Sequence, residues 1–310
     1  MPILFSNLSP DLRNAQMITL DLNLQLRDAN SLRNSGYMTY IGSINNSGTD
    51  TLRARLIGLG GRDKFKAAGT ESSTETETAL SDDKADCGVV RYTMIRTYSD
   101  LARMTAYGSS PYEIDPFNLA QDMASSYEAT FMDVTADAAE SFTNTTATTG
   151  TAMSVSTFFK GIYKLEQADT FRGVPGALYA ALHPAALVQL QGSLRSEQNN
   201  IVSQMVATEA MISAKGSFYC GQLFGVDVYK SSWIDNDGTD YHSWMADKGA
   251  LCFGDGVPQL AGAVEVMEFD KCVVELSREP EKALTSVTGH AYLGITILND
   301  NRGVLLKSSV

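Results

Sequence analysis

The sequence predicts an α+β protein, and three observations carry that class. Residues 116–142 have the pattern of one long amphipathic helix, short segments in the first hundred residues read as strands, and from Gly249 onward the pattern is almost entirely β. With 310 residues, 44% of them hydrophobic, the chain is long enough for one large domain or two ordinary ones with a proper core.

From the N-terminus, Ile18, Leu20, Leu22, Leu24 and Leu26 alternate with Thr19, Asp21, Asn23 and Gln25, as in a half-buried strand or an extended arm. Two further β segments, 52–58 and 89–97, bracket a glycine-, threonine- and charge-rich stretch of about 30 residues, so together they predict a long hairpin loop. The central helix is entered through Asp115 as N-cap and Pro116 at the first helical position, where a missing N–H costs nothing. Phe117, Ala120, Ala124, Tyr127, Phe131, Val134 and Ala138 follow at steps of three and four, which places them on one stripe of a rod roughly 40 Å long at about 1.5 Å per residue. A second helical pattern runs over 155–169 with Phe158, Ile162 and Leu165 on one face. After it come a strand at 176–182, a helix opened by Pro184, and strand, turn, strand over 221–234. The closing β run includes 250–256, 263–269, 272–279, 286–298 and 304–307, with a turn at 299–303. There is no internal repeat.

Charge narrows the function. The formal net charge is −12, and because residues 1–66 hold eight Lys/Arg against five Asp/Glu, the remainder carries −15. Tight nucleic-acid binding by the body needs a basic face and is disfavoured, although an acidic protein can still enclose DNA. No apolar run approaches the length of about 18 residues that spans a bilayer, and the N-terminus lacks a basic-then-apolar signal pattern, so cytoplasmic synthesis is expected. Cys87, Cys220, Cys252 and Cys272 form no C-x-x-C pair and read as buried free thiols.

The motifs that would carry chemistry are missing. GLGGRD at 58–63 lacks the third glycine of a dinucleotide fingerprint, no G-x-S-x-G elbow occurs, and His183, His242 and His290 are scattered. A calcium-loop alignment of 235–240 would put Trp233 and Trp244 at ligand positions, so this Asp-Gly segment reads as a tight surface turn. No cofactor or metal follows from these patterns. Around the rod helix, Asp122, Glu128, Asp133, Asp137 and Glu140 read as a solvated or partner-facing edge.

Arm, long loop, rod helix, α/β region and closing β run stand in an order that resembles the Hong Kong 97 fold of major capsid proteins of tailed bacteriophages. Two local patterns strengthen the likeness: ALYAALHPAALVQLQGSL at 177–194 is similar to the strand–helix element of that fold's axial domain, and GQLFGVDVYKSSWI at 221–234 to its following strand, Gly-x-x-x-Gly turn and strand. The tail at 288–307 is similar to the closing peripheral-domain strands.

The resemblance implies an N-arm at 1–47, an E-loop at 48–98, a peripheral domain at 99–150 with 261–310, and an axial domain at 151–260 in which Asp235, Asp237, Asp240 and His242 form a loop near the capsomer axis. It implies pentamers and hexamers in an icosahedral virion shell assembled in the host cytoplasm, with a portal, a decoration protein in some members, and DNA enclosed without specific binding. Because the chain starts almost directly at the arm, a separate scaffolding protein is implied. Lys64 and Lys66 occupy the region where some members cross-link, yet no residue identifies the partner asparagine, so cross-linking is not expected. Arg53 and Arg55 share a strand face, and Arg91 on the return strand points the same way; this basic face is expected to meet the acidic edge of the rod helix across a subunit interface, where that edge carries no competing cation. Two alternatives stand beside this reading: an encapsulin-like nanocompartment shell of the same fold, and a soluble acidic enzyme with a dispersed site.

Overall fold

The structure, a computed structural model, describes residues 31–34, 36–45, 48–58, 81–99, 116–146, 149–167, 178–197, 218–256 and 272–310. The alternation at 18–26, the Asp115 cap, the loop tip with Lys64 and Lys66, and the β segment at 263–269 lie outside the described residues.

Two sheets and a hairpin are arranged around one long helix. The chain enters through a single helical turn, α1 (Ser31–Asn34), and strand β1 (Thr39–Ser43). Strands β2 (Thr51–Gly58) and β3 (Ser81–Gly88) form the hairpin, and β4 (Val90–Ser99) follows directly. The rod is α2 (Pro116–Glu140), with α3 (Val155–Gln167), β5 (Leu178–Leu182) and α4 (Pro184–Glu197) after it. The remaining strands are β6 (Tyr219–Leu223), β7 (Val226–Lys230), β8 (Asp240–Asp247), β9 (Leu251–Gly256), β10 (Cys272–Glu279), β11 (Leu284–Ile297) and β12 (Gly303–Ser309).

The first sheet runs β1-β9-β11-β10 with β4 also paired to β11; the second runs β12-β8-β5-β7-β6. Both sheets cross the domain boundaries implied by the family resemblance, since β9 pairs with β11 in the first sheet and β12 pairs with β8 in the second. Strand β5 is buried along its whole length, as a central strand covered on two faces must be. Its alternate residues divide the core: Tyr179 and Ala181 join Tyr229, Trp244 and Ala246 on the side of α2, whereas Leu178, Ala180 and Leu182 join Met245, Val304 and Leu306 on the side of α3 and α4.

Helix α2 begins at Pro116 as expected, and Phe142 lies just past its end, buried. Its buried stripe is wider than the sequence spacing indicates. Ala124, Tyr127 and Phe131 are buried together with Met123, Met132, Thr135, Ala136 and Ala139, while Val134 and Ala138 are half-buried. A strict run of alternating threes and fours drifts off a 3.6-residue turn, and contact on both sides of the stripe widens it. Helix α3 buries Phe158 and Leu165 as expected, and Ser154 caps it by accepting from the Thr157 amide at 3.2 Å.

The hairpin differs from the sequence-based expectation. Its return strand is β3, in register with β2 from Thr51↔Gly88 to Gly58↔Ser81, whereas residues 90–99 form β4 of the first sheet. The reason is local: Ala85 and Cys87 are small apolar residues that alternate with exposed Lys84 and Asp86, so the strand is amphipathic despite its polar composition. At its base, Gly42, Gly254 and Gly294 stand side by side in register across β1, β9 and β11. A Cβ on Gly254 would overlap the Leu52 side chain, and one on Gly294 would overlap the Gly88 carbonyl. Leaving both positions without a side chain is what lets the hairpin seat on the sheet.

Gly294→Ala should therefore lower stability by about 1–3 kcal/mol, because the obstacle is backbone and cannot rotate away. Thermal unfolding reads this directly, and an unchanged midpoint would mean that the hairpin base does not rest there.

Candidate functional site

Three features among the described residues are defined by their charges: the hairpin, the edge of α2 and the turn before β8. On the hairpin, Arg53 donates to Asp86 through Nε at 2.6 Å and through a second guanidinium nitrogen at 3.2 Å. Lys84 lies 3.7 Å from the same carboxylate. The Arg53 guanidinium holds the Asp86 carboxyl below its ordinary range. Arg55 stands opposite Lys84 in register, and Arg91 is exposed on β4, in a different sheet. The expected basic face of Arg53, Arg55 and Arg91 is thus divided between two sheets, and Arg53 is already matched within its own hairpin.

The acidic edge of α2 also divides. Asp122 is paired with Arg96 of β4 at 2.8 Å, so a competing cation is present, contrary to expectation. Glu128 is only 3% exposed and belongs to the buried stripe instead of the edge. Asp133 and Asp137 remain exposed.

Glu140 meets the segment that the resemblance places near the capsomer axis. His242, in β8, is directed at the end of α2: its Nδ1 contacts Glu140, and its Nε2 lies 3.4 Å from Asp237. Within this segment, 235–239 form a tight turn leading into a strand that contains Asp240 and His242, and the His242 ring contacts the end of α2. Gly238 adopts φ +85° there, and Asp237 accepts from the amides of Thr239 and Asp240 at 2.8 and 2.7 Å. Asp240 is buried and accepts from the Gly150 amide at 2.8 Å. Ligand atoms of Asp137, Glu140 and Asp235 all lie within 4.8 Å of one another, an arrangement with the oxygen donors that a hard cation takes. Partial burial and the charges of Asp133, Glu140 and Asp235 raise the Asp137 carboxyl above its ordinary range.

Residues near the chain start hold the two sheets together, and sequence reasoning missed them. Arg33 pairs with Asp255 of β9 at 2.6 Å, donates to the Tyr127 hydroxyl of α2, and lies 5.1 Å from the centre of the Phe253 ring. Tyr37 donates to Asp227 of β7, which is fully buried and also accepts from Tyr219 at 3.3 Å. Burial and the Asp227 carboxylate push the Tyr37 hydroxyl far up, and the Tyr219 hydroxyl up to about 12. A lone Arg and Tyr in a polar stretch carry no periodic signal. The four cysteines are free, with Cys87, Cys252 and Cys272 buried and Cys220 half-buried.

Because the raised Asp137 pKa disfavours its charged form in the fold, its contribution to stability is full below the unfolded value of 3.8 and is lost as pH rises through the raised folded value. Asp137→Asn should accordingly raise the unfolding temperature at about pH 7, and that gain should vanish toward about pH 3. An equal gain at both pH values would show that the effect is not electrostatic.

No known family model matches the sequence, and no curated protein aligns with it. Solved structures do align, over nearly the whole chain. The mature capsid of bacteriophage PhiM1 matches with a TM-score of 0.57 at 9% identity, covering 88% of this chain and 85% of that one. The capsid of cyanophage P-SCSP1u matches with a TM-score of 0.56 at 12% identity, over 90% and 88%. The holo-SrpI encapsulin complex from Synechococcus elongatus matches with a TM-score of 0.55 at 11% identity, over 84% and 82%. The chain has the α+β fold of these shell subunits, the Hong Kong 97-like fold that its sequence resembles.

Proposed function

We propose that this chain is the repeating structural subunit of an icosahedral bacteriophage capsid that encloses double-stranded DNA. The observation that carries the reading is that 88–90% of this chain aligns with phage capsid structures. Acidic composition agrees with it: a net charge of −12 retains DNA by enclosure and does not grip it. The work is mechanical, with no catalytic step. Copies close into pentamers and hexamers, and each weak interface is multiplied by symmetry.

This reading divides the chain by its sheets. The first sheet with α2 forms the peripheral body, the second sheet with α3 and α4 the axial body, and β2–β3 the base of the E-loop. In this reading residues 1–47 are the N-arm, which adds β1 to the edge of the first sheet, and Lys64 and Lys66 belong to the E-loop, which reaches a neighbouring subunit without cross-linking to it. A separate scaffolding protein directs closure in the host cytoplasm, a portal occupies one vertex, and a decoration protein can bind the finished shell. The second reading, a nanocompartment shell that holds protein cargo, is favoured by the encapsulin match.

Expressed alone or with its scaffolding protein, the chain should form closed particles of megadalton mass, seen by sedimentation and electron microscopy. A small oligomer under every condition refutes the shell reading. Particles that package protein and exclude DNA when assembled in infected cells favour the compartment over the capsid.

A further inference from the structure

Helix α3 carries an exposed apolar face among the described residues. Phe159 is 45% exposed and Tyr163, one turn on, is 62% exposed, while Val188 on the neighbouring α4 is 66% exposed. Residues of this size in this number are not needed to hold α3, whose buried side is Val155, Phe158 and Leu165. A third ring joins the patch from the β6–β7 turn: Phe224 lies 4.4 Å from Phe159, centre to centre, and is held at φ +52° beside Gly225 at φ +81°. Two consecutive positive φ values are the geometry in which Asn-Gly is the ordinary choice and a bulky aromatic is an outlier.

Charge accompanies the patch. Helices α3 and α4 hold three cations, Lys160, Lys164 and Arg195, against two acids, Glu166 and Glu197, in a chain that is strongly acidic overall. Lys160 and Arg195 are exposed, while Lys164 reaches the Thr145 carbonyl. Helix α2, by contrast, carries five acids and no cation. Asp133 and Asp137 are exposed on it, and the Asp235 carboxylate stands beside Asp137. The two surfaces lie on opposite sides of the second sheet, because α2 packs on the Trp244 face and α3 with α4 on the Met245 face.

We propose that the Phe159–Tyr163–Phe224 face docks on the acidic edge of α2 in a second copy of this chain, with Lys160 set against Asp133 and Asp137. Complementary surfaces on opposite sides make the contact head-to-tail, the kind that closes into a ring. Aromatic rings in the middle exclude water, and the charges at the rim set the register. This contact rests on the shell reading but is tested separately from it.

The wild-type full-length chain, assembled from a mixture of light- and heavy-isotope subunits, is treated with a zero-length carbodiimide that joins lysine amines to carboxylates. Mass spectrometry then looks for Lys160 coupled to Asp133 or Asp137. The sheet separates these residues within one chain, so a mixed-isotope pair is expected. Particles without that cross-link overturn the contact and leave the shell reading standing; the cross-link in small rings without particles supports the contact and overturns the shell. Neither observation overturns both. As a second measurement, Tyr163→Ser should keep the circular dichroism and unfolding midpoint of the parent while raising the concentration needed for assembly about tenfold or more. An unchanged assembly concentration contradicts the proposal, as does failure of the Asp133→Lys, Asp137→Lys pair to restore assembly to Lys160→Glu.

Discussion

Burial of one side of α2 against two sheets at once is the interaction on which the fold depends. Met123, Tyr127, Phe131, Met132, Ala136 and Ala139 meet Phe253, Cys272, Val287 and Leu293 of the first sheet and share one core with Tyr179, Tyr229 and Trp244 of the second. A fully buried side chain of this kind is worth about 1.5–3 kcal/mol, and only a helix of this length can supply enough of them to two layers simultaneously. Arg33 and Tyr37 reinforce the same junction from the chain start, one pairing with Asp255 beside α2 and the other with Asp227 in the second sheet. Each places a polar group where leaving its partner unmatched would be costly.

With both sheets committed to α2, what remains outward is fixed by subtraction. The hairpin leaves the body where Gly42, Gly254 and Gly294 let its base approach, and its outer face is balanced by the Arg53–Asp86 pair. An exposed pair of this kind contributes little to stability. Its effect is to leave the hairpin less strongly basic than the sequence implies. The uncovered acids sit at one end of α2 and the uncovered aromatics on the far side of the second sheet. Unlike surfaces on opposite sides are what a head-to-tail contact between copies requires.

The fold was legible where periodicity was long and uninterrupted. Helices α2, α3 and α4 and strands β5, β7 and β11 stand close to where their patterns place them, because each has a face that must be buried and a sequence that says which. Strand β8 is obscured by Asp240 and His242, polar residues that are buried in the fold, where Asp240 accepts from the Gly150 amide and His242 contacts Glu140. Strand β3 was obscured by Asp82, Asp83, Lys84 and Asp86, whose charges hide the alternation of Ala85 and Cys87. The candidate site was legible as residue types but not as pairings. Asp122 and Arg96 are 26 positions apart and Glu140 and His242 are 102, so nothing local announces either contact. Glu128 reads as an edge residue in the sequence because a carboxylate on an amphipathic helix ordinarily is one.

Hydrogen exchange on dissociated subunits and on assembled particles tests the central claim most directly, because the account says which surfaces are finished within the chain and which await a neighbour. The buried stripe of α2 should be protected equally in both states, while 51–58, 81–88 and the amides of α3 around Tyr163 should gain protection only in particles. Equal exchange at those segments in both states, or protection of α2 that appears only on assembly, would contradict it.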